Sequence, residues 1–205
     1  GDPQRGADAT PMTVGVVAVQ GDVREHLRTL ARLGVEGCPV LRPEQLARLA
    51  GIILPGGEST AMWRLMTRTG LAAPLREALA RGLPAFGTCA GMILLARRIT
   101  NWGETFLGVL DVAVERNATG RQVDSFEARV SADGLGEIPA VFIRAPLVRQ
   151  MGPTVEALGW LGDVPVLVRE GRLLAASFHP ELTDDAQVHD LFIQMCRKER
   201  PWQHA

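Results

Sequence analysis

A cysteine between two glycines is the clearest sign of chemistry in this sequence. Cys89 stands in the string GTCAG at residues 87–91. The apolar segment 84–86 before it is typical of a strand, and the segment 92–96 after it is typical of a helix with Arg97 and Arg98 near its end. The same frame with serine, G-x-S-x-G, is a tight turn that exposes a nucleophile. We therefore interpret Cys89 as a nucleophile, although cysteine outside such a frame is more often a small buried hydrophobic residue.

A histidine and a carboxylate that could assist this cysteine follow another predicted strand, residues 172–178. A thiol nucleophile needs a base, and the base needs a third group that fixes its tautomer. Pro180 cannot donate a hydrogen bond to a sheet, so the strand should end at His179 and leave its ring at the rim. His179 is thus the predicted base and Glu181 its orienting group. The alternative is an ordinary histidine followed by a solvated carboxylate.

Two adjacent glycines could contribute to an oxyanion hole. Gly56 and Gly57 lie between a predicted strand, residues 51–54, and a predicted helix. Without a Cβ atom, the backbone N–H groups of such a turn can face a ligand closely. The N–H of Ala90, directly after the nucleophile, would be the second donor. The alternative is a glycine turn in which Glu58 or Ser59 only caps the next helix.

The order of the predicted elements places these motifs at one edge of a sheet. In the first half, strands at 13–19, 35–41, 51–54 and 84–86 alternate with helices at 23–33, 43–49, 60–68 and 73–81, the first of them capped by Asp22. Shorter β segments follow at 109–115, 126–130, 141–144, 155–158, 164–169 and 172–178, before a terminal helix from about residue 183 to residue 198. We expect an α/β fold: a mostly parallel sheet flanked by helices on both faces, with an antiparallel β extension. Ligands of such sheets bind at the carboxyl ends of the strands.

Composition narrows the classes of function. With 205 residues, 46% of them hydrophobic, the chain suits one domain at 12–205 after a polar lead, residues 1–11, that we expect to be disordered. A net charge of −1 with interleaved signs argues against nucleic-acid or membrane partners. The scattered cysteines and histidines match no disulfide framework or metal-site spacing, so we expect no metal and no cofactor. No apolar run approaches the roughly 20 residues of a membrane span, and we expect a cytoplasmic protein.

The three motifs, in this order, resemble those of the class I (triad) glutamine amidotransferases. Longer strings resemble one family among them more closely, the glutaminase subunits of pyridoxal 5′-phosphate synthase. These strings are VQGDVREH at 19–26, GIILPGGESTA at 51–61, VERNATGRQVDSFE at 114–127, VFIRAP at 141–146 and SFHPELT at 177–183. The resemblance extends over about residues 13–197, nearly the whole predicted domain.

The resemblance implies a reaction and a set of site residues. Cys89 would attack the side-chain amide of L-glutamine, His179 would protonate the leaving ammonia and then activate water, and Glu181 would orient His179. The N–H groups of Gly57 and Ala90 would form the oxyanion hole. The implied glutamine site consists of Gly57, Glu58, Ser59, Arg116, Ile143 and Arg144, and Gln20 is a further candidate at the rim.

The resemblance also implies a partner. The ammonia would pass to a separate synthase subunit, which joins it to ribose 5-phosphate and glyceraldehyde 3-phosphate to make pyridoxal 5′-phosphate. Glutaminase activity would be weak until that subunit docks. Two alternatives remain open: another cysteine hydrolase on this scaffold, such as a peptidase or γ-glutamyl hydrolase, or a non-catalytic regulatory subunit. An intact set of Cys89, His179 and Glu181 argues against the second.

Overall fold

A computed structural model describes residues 11–116, 125–198 and 202–204. The predicted lead, residues 1–11, lies outside the described residues except for Pro11. Residues 117–124, which belong to one of the family-like strings, also lie outside them. No helix in the described ranges is both long enough and apolar enough to cross a lipid bilayer.

Nine of the described strands form one sheet. Its parallel part contains, in spatial order, β2 (Glu36–Val40), β1 (Thr13–Val17), β3 (Gly51–Leu54), β4 (Ala85–Thr88) and β12 (Leu173–Ala176). It continues with antiparallel pairing through β11 (Val164–Glu170), β10 (Glu156–Leu161), β7 (Ser125–Ala132) and β8 (Gly136–Ile143). The expected fold class, a parallel sheet with an antiparallel extension, is confirmed.

Helices cover both faces of the sheet because successive side chains of a strand point to opposite sides. Ile53 of β3 belongs to a buried cluster with Leu30 of α1 (Val23–Arg32) and Phe192 of α5 (Gln187–Lys198). Its neighbour Ile52 belongs to a second cluster on the other face, with Leu75. The helices of that second face are α2 (Ser59–Arg68), α3 (Ala72–Arg81) and α4 (Ala90–Leu95), and short 3₁₀ helices occur at Pro43–Arg48, Pro180–Leu182 and Trp202–His204.

A second sheet corrects two of the predictions. It contains β5 (Ala96–Ile99), β6 (Leu110–Glu115) and β9 (Leu147–Met151). The helix predicted at 92–96 ends one residue early, at Leu95, and Arg97 and Arg98, which were predicted near the end of that helix, lie on β5 instead, where they reach Asp111 of β6. The strand predicted at 109–115 forms, but it pairs in this small sheet instead of the antiparallel extension.

The last helix begins later than predicted. After the 3₁₀ turn, the chain remains irregular until Gln187, where α5 starts. The Asp185 carboxylate accepts a hydrogen bond from the Gln187 N–H at 2.9 Å, so the acidic residues of this segment do help to start the helix.

Candidate active site

The three motifs meet at the carboxyl edge of neighbouring strands, as the sequence predicts. β3, β4 and β12 lie side by side, and each is followed by one motif: the glycine pair, the cysteine or the His-Pro-Glu string. The Cys89 N–H donates to the Ala176 carbonyl at 2.8 Å, and the His179 N–H donates to the Val141 carbonyl at 2.8 Å. These backbone bonds fix the cysteine beside the end of β12 and the histidine beside β8.

Cys89 occupies the strained turn that its glycine frame predicts. Its φ of 51° and ψ of −103° lie in a region that side-chain-bearing residues rarely adopt. A Cβ atom at Gly87 would lie 2.5 Å from the Gly91 backbone, and one at Gly91 would lie 2.0 Å from the Leu54 carbonyl oxygen. Both glycines are therefore needed for β3, β4 and α4 to approach one another at the turn.

His179 and Glu181 form a buried hydrogen-bonded pair. Nδ1 of His179 lies 2.6 Å from Oε1 of Glu181, and both side chains are almost fully buried. Nδ1 therefore donates to the carboxylate, and this leaves Nε2 as the atom that can take a proton. Nε2 has no hydrogen-bond partner among the described residues. The Sγ of Cys89 donates to the Ile143 carbonyl at 3.4 Å, so the thiol has to turn from that carbonyl to reach the histidine.

Asp22 is a second carboxylate at His179, and the prediction that it caps α1 is wrong. Its side chain makes no capping hydrogen bond with any described residue. Instead, Oδ2 lies 3.2 Å from Nδ1 of His179, and the Asp22 N–H donates to the Gly56 carbonyl at 2.9 Å. An aspartate directly after a strand suits either role, and only the fold shows that this one faces the histidine.

The electrostatics of the pair favour a charged histidine. Burial disfavours the cation, but the proximity of Asp22, Cys89 and Glu181 to the ring outweighs it and raises the pKa of His179. Burial also raises the pKa of Glu181, while its bond to His179 opposes that shift. Since the pKa of His179 is higher in the folded chain, its protonation stabilises the fold fully below about pH 6.5, and this contribution is lost as pH rises through the folded value.

Replacing Asp22 with asparagine should make His179 a weaker base. Loss of the carboxylate charge should lower the pKa of His179 by about one unit. In the reaction that the family resemblance implies, the His179 imidazolium protonates the leaving ammonia, so we expect the alkaline limb of the pH profile of kcat/KM for glutamine to move towards lower pH. Asp163→Asn, in the exposed turn between β10 and β11, is the control. Identical profiles for Asp22→Asn and the wild type would show that the contact has no catalytic effect.

The glycine turn is held from two sides. Oε1 of Gln20 accepts a hydrogen bond from the Glu58 N–H at 3.0 Å. A Cβ atom on Gly57 would lie 2.4 Å from that same oxygen, and one on Gly56 would lie 2.3 Å from the His179 ring. Gln20, the candidate at the rim, thus lies against the turn. Across from it, Ala90 is the first residue of α4, so its N–H has no acceptor within the helix.

Glu58 and Arg116 contact each other beside the turn. The Glu58 carboxylate accepts hydrogen bonds from the N–H groups of Thr60 and Ala61, at 3.2 and 2.7 Å. Glu58 therefore does cap α2, as the alternative interpretation predicts. The capping bonds leave its carboxylate able to make further contacts. Oε1 also lies 3.4 Å from Nη2 of Arg116, and the Glu58 side chain is 53% exposed.

Arg116 is held with part of its guanidinium free. The guanidinium stacks on the Trp102 ring at 4.3 Å, and Asn101 makes two hydrogen bonds with the Arg116 backbone. Nη1 is buried and has no hydrogen-bond partner among the described residues. Sequence reasoning missed Trp102, because a single aromatic residue in a loop carries no local signal of its contact with Arg116.

Of the other predicted residues, Ser59 is buried at the start of α2, and Arg144 is exposed with a positive φ of 46° at the end of β8.

One group of residues in the described structure could also bind a metal ion. Asp22, His179 and Glu181 offer ligand atoms within 4.8 Å of one another. A cation there would displace the proton on Nδ1 of His179. That proton makes the hydrogen bond to Glu181 and leaves Nε2 free to accept a proton. A metal at this position would therefore inhibit the acid–base chemistry that the family resemblance implies for the pair.

Known proteins resemble the chain over almost its whole described length. Residues 16–198 match the SNO glutamine amidotransferase family. A protein of Kosmotoga olearia named pyridoxal 5′-phosphate synthase subunit PdxT is 52% identical over 186 residues, which cover 89% of this chain and 97% of that protein. A protein of the same name from Parafrankia sp. (strain EAN1pec) is 53% identical, covering 91% of this chain and 94% of its own.

A solved structure agrees with the sequence comparisons. A crystal structure described as a glutamine amidotransferase superposes with a TM-score of 0.86 at 50% identity and covers 89% of this chain and 98% of its own. The family resemblance inferred from the motifs is confirmed. The chain belongs to the SNO glutamine amidotransferase family.

Proposed function

We propose that this chain is the glutaminase half of a pyridoxal 5′-phosphate synthase, with Cys89, His179 and Glu181 as its catalytic triad. The observation that carries the proposal is the strained Cys89 turn at the same sheet edge as the buried His179–Glu181 pair. The relatives named as subunits of pyridoxal 5′-phosphate synthase, at 52 and 53% identity, support the choice of product.

The proposed reaction has two halves. In the first, Nε2 of His179 takes the Cys89 proton, the thiolate attacks the side-chain amide carbon of glutamine, and the N–H groups of Gly57 and Ala90 stabilise the oxyanion. The imidazolium then protonates the leaving nitrogen, so that ammonia departs and a glutamyl thioester remains. In the second half, His179 deprotonates a water that attacks the thioester and returns the proton to the sulfur as glutamate leaves. Glu181 holds the ring of His179 throughout.

The proposed glutamine site complements both charges of the amino acid. The free Nη1 of Arg116 suits the α-carboxylate, because a guanidinium can donate in the plane of a carboxylate. Glu58 offers its exposed carboxylate to the α-ammonium group. Gly57, Ser59, Ile143 and Arg144 complete the proposed lining.

Arg116→Lys should weaken glutamine binding more than it slows the chemistry. Lysine keeps the charge but loses the planar fork and the stacking on Trp102. We expect the KM for glutamine to rise about tenfold, the cost of one charge-assisted hydrogen bond, while kcat stays within about threefold. Steady-state ammonia release measures both constants, and Arg97→Lys, on the exposed side of β5, is the control. An unchanged KM would remove Arg116 from the proposed site.

The proposal also names a partner and a compartment. The partner is a synthase subunit that receives the ammonia, and the location is the cytoplasm, where the three free cysteines Cys38, Cys89 and Cys196 would stay reduced. A peptidase or γ-glutamyl hydrolase on this scaffold would instead cleave substrates with groups attached to the glutamine. Activity on γ-glutamyl peptides that exceeds activity on free glutamine would favour that alternative.

Isotope transfer tests the proposed function. The chain and its cognate synthase subunit are mixed with glutamine labelled with ¹⁵N at the side-chain amide, ribose 5-phosphate and glyceraldehyde 3-phosphate. We expect ¹⁵N in the pyridoxal 5′-phosphate, even when unlabelled ammonium is added as a competitor. The proposal fails if the synthase makes product from added ammonium but takes no ¹⁵N from glutamine in the presence of this chain.

A further inference from the structure

Two histidines outside the proposed triad are buried next to it and joined to each other. His26 of α1 and His189 of α5 both have no exposed surface. Nδ1 of His26 lies 2.8 Å from Nε2 of His189, and the two ring centroids are 5.0 Å apart. The Phe86 and His189 rings pack edge to face, with centroids 5.5 Å apart. Buried polar rings of this kind are retained at a cost in desolvation, so their contacts need an explanation.

The other ring nitrogen of His26 faces the proposed catalytic residues. Nε2 lies 3.2 Å from the hydroxyl oxygen of Thr88, the residue before the nucleophile, and 3.4 Å from Oε2 of Glu181. Glu181 uses Oε1 for His179, and Oε2 has no hydrogen-bond partner among the described residues. The free oxygen of the buried Glu181 carboxylate thus faces Nε2 of His26.

Burial favours the neutral form of both histidines. Burial is the main cause that lowers the pKa of His26, and a charge on His189 or His179 would lower it further. Burial lowers the pKa of His189 to about 3, with Arg32 adding to the effect. Each ring then carries one proton, on one of its two nitrogens.

The contacts select one tautomer for each ring. If Nε2 of His26 lacked a proton, its lone pair would face the Glu181 carboxylate across 3.4 Å. His189 would then have to carry its proton on Nδ1, a buried atom with no partner among the described residues. An orphaned N–H is rarer in proteins than an orphaned acceptor. The favoured arrangement therefore has Nε2–H of His189 donating to His26, and Nε2–H of His26 pointing at Thr88 and Glu181.

We infer that His26 is a positioning residue: its Nε2–H holds the second carboxylate oxygen of Glu181 in place relative to Thr88 at the end of β4. His189 fixes the tautomer of His26. The inference rests on the proposed function, because Glu181 matters only if it orients His179. His26 touches no reacting atom. It acts by keeping the Glu181 carboxylate aligned, so that His179 keeps its working tautomer.

Two amide variants separate this role from simple packing. His26→Gln places an amide N–H near the position of Nε2 and keeps the contact with Glu181. His26→Asn places its amide near the position of Nδ1, so it keeps the contact with His189 and loses the one with Glu181. Both introduce a polar, uncharged side chain at the same buried position. Ammonia release by each variant, bound to the synthase subunit, gives kcat and KM, and thermal unfolding shows that each folds.

We expect His26→Asn to lower kcat about tenfold or more, because a small misplacement of the catalytic base has an effect of that size. We expect His26→Gln to keep kcat within about threefold of the wild type, and both variants to keep the KM for glutamine within about twofold. Equal losses of kcat in the two variants would overturn the inference. If the wild type itself releases no ammonia, the proposed function fails, and that result is distinct from a failure of the inference.

A measurement on the wild-type chain decides the inference even if a variant does not fold. Long-range ¹H–¹⁵N correlation spectra of histidine-labelled protein at pH 7 distinguish the two neutral tautomers and the cation. We expect His26 and His189 to be neutral with the proton on Nε2. A proton on Nδ1 of His26, or a protonated His26, would overturn the inference without any reference to activity.

Discussion

Cys89→Ala is expected to abolish ammonia release from glutamine, with kcat falling by at least about 10⁴-fold. Among the described residues, no other side chain at this sheet edge carries a thiol that could replace the Cys89 sulfur as nucleophile. Without the sulfur there is no covalent intermediate, and the remaining groups can only polarise the amide. The release of ammonia, measured in the complex with the synthase subunit, reports the loss.

A second cysteine provides the matched control for that variant. Cys38 lies on β2 at the edge of the sheet, is free, and is only partly buried. Cys38→Ala should keep kcat within about twofold, since it lies outside the proposed site and changes little surface. Retained activity in Cys89→Ala, or its loss in Cys38→Ala, would contradict the assignment of the nucleophile.

Gly91→Ala is expected to destabilise the fold by about 3 kcal/mol and to remove most of the activity. Within a helix, exchanging glycine for alanine normally stabilises by roughly 0.5–1 kcal/mol. Here the new Cβ would lie 2.0 Å from the Leu54 carbonyl oxygen, which is backbone and cannot swing aside. Relief of the clash requires α4 to move away from β3, which displaces both Cys89 and the Ala90 N–H.

Urea unfolding gives the change in stability for this variant, and ammonia release gives the change in activity. Gly103→Ala is the control, because a Cβ atom at Gly103 meets no atom within 4 Å and its φ is not in the left-handed region. We expect it to change the free energy of unfolding by less than about 0.5 kcal/mol. A Gly91→Ala protein as stable and active as the wild type would show that the turn is not as tightly packed as the structure indicates.

The parts of the site that follow directly from strands were predictable from local sequence. The glycine frame of Cys89, the Gly56–Gly57 pair and the His179–Glu181 spacing each occupy a few consecutive residues after a strand. Parallel strands place their carboxyl ends at one edge, so three local motifs were enough to locate one site. The prediction of a glutamine amidotransferase, which came from the three motifs together and was narrowed by longer strings, is confirmed by the family match.

The contacts missed by sequence reasoning join distant parts of the chain. His26 and His189 are 163 positions apart, and nothing in their local sequence indicates that they meet. Asp22 is a residue type that often caps helices, and it also lies directly after a strand, where site residues occur. Its sequence context predicts a helix cap, and the structure places its side chain at His179 instead. The β5-β6-β9 sheet depends on pairing between segments that carry few consecutive apolar residues. In β5, for example, the two central residues are Arg97 and Arg98.

Covalent labelling gives the most direct test of Cys89 as the glutamine-reactive nucleophile. The chain, bound to the synthase subunit, is treated with a diazoketone analogue of glutamine, which alkylates a nucleophile positioned at the side-chain carbonyl, and each cysteine peptide is weighed by mass spectrometry. We expect one adduct, on Cys89, whose formation excess glutamine prevents and Arg116→Lys slows. An adduct on Cys38 or Cys196 instead, or labelling of Cys89 that glutamine does not prevent, would contradict the proposed site.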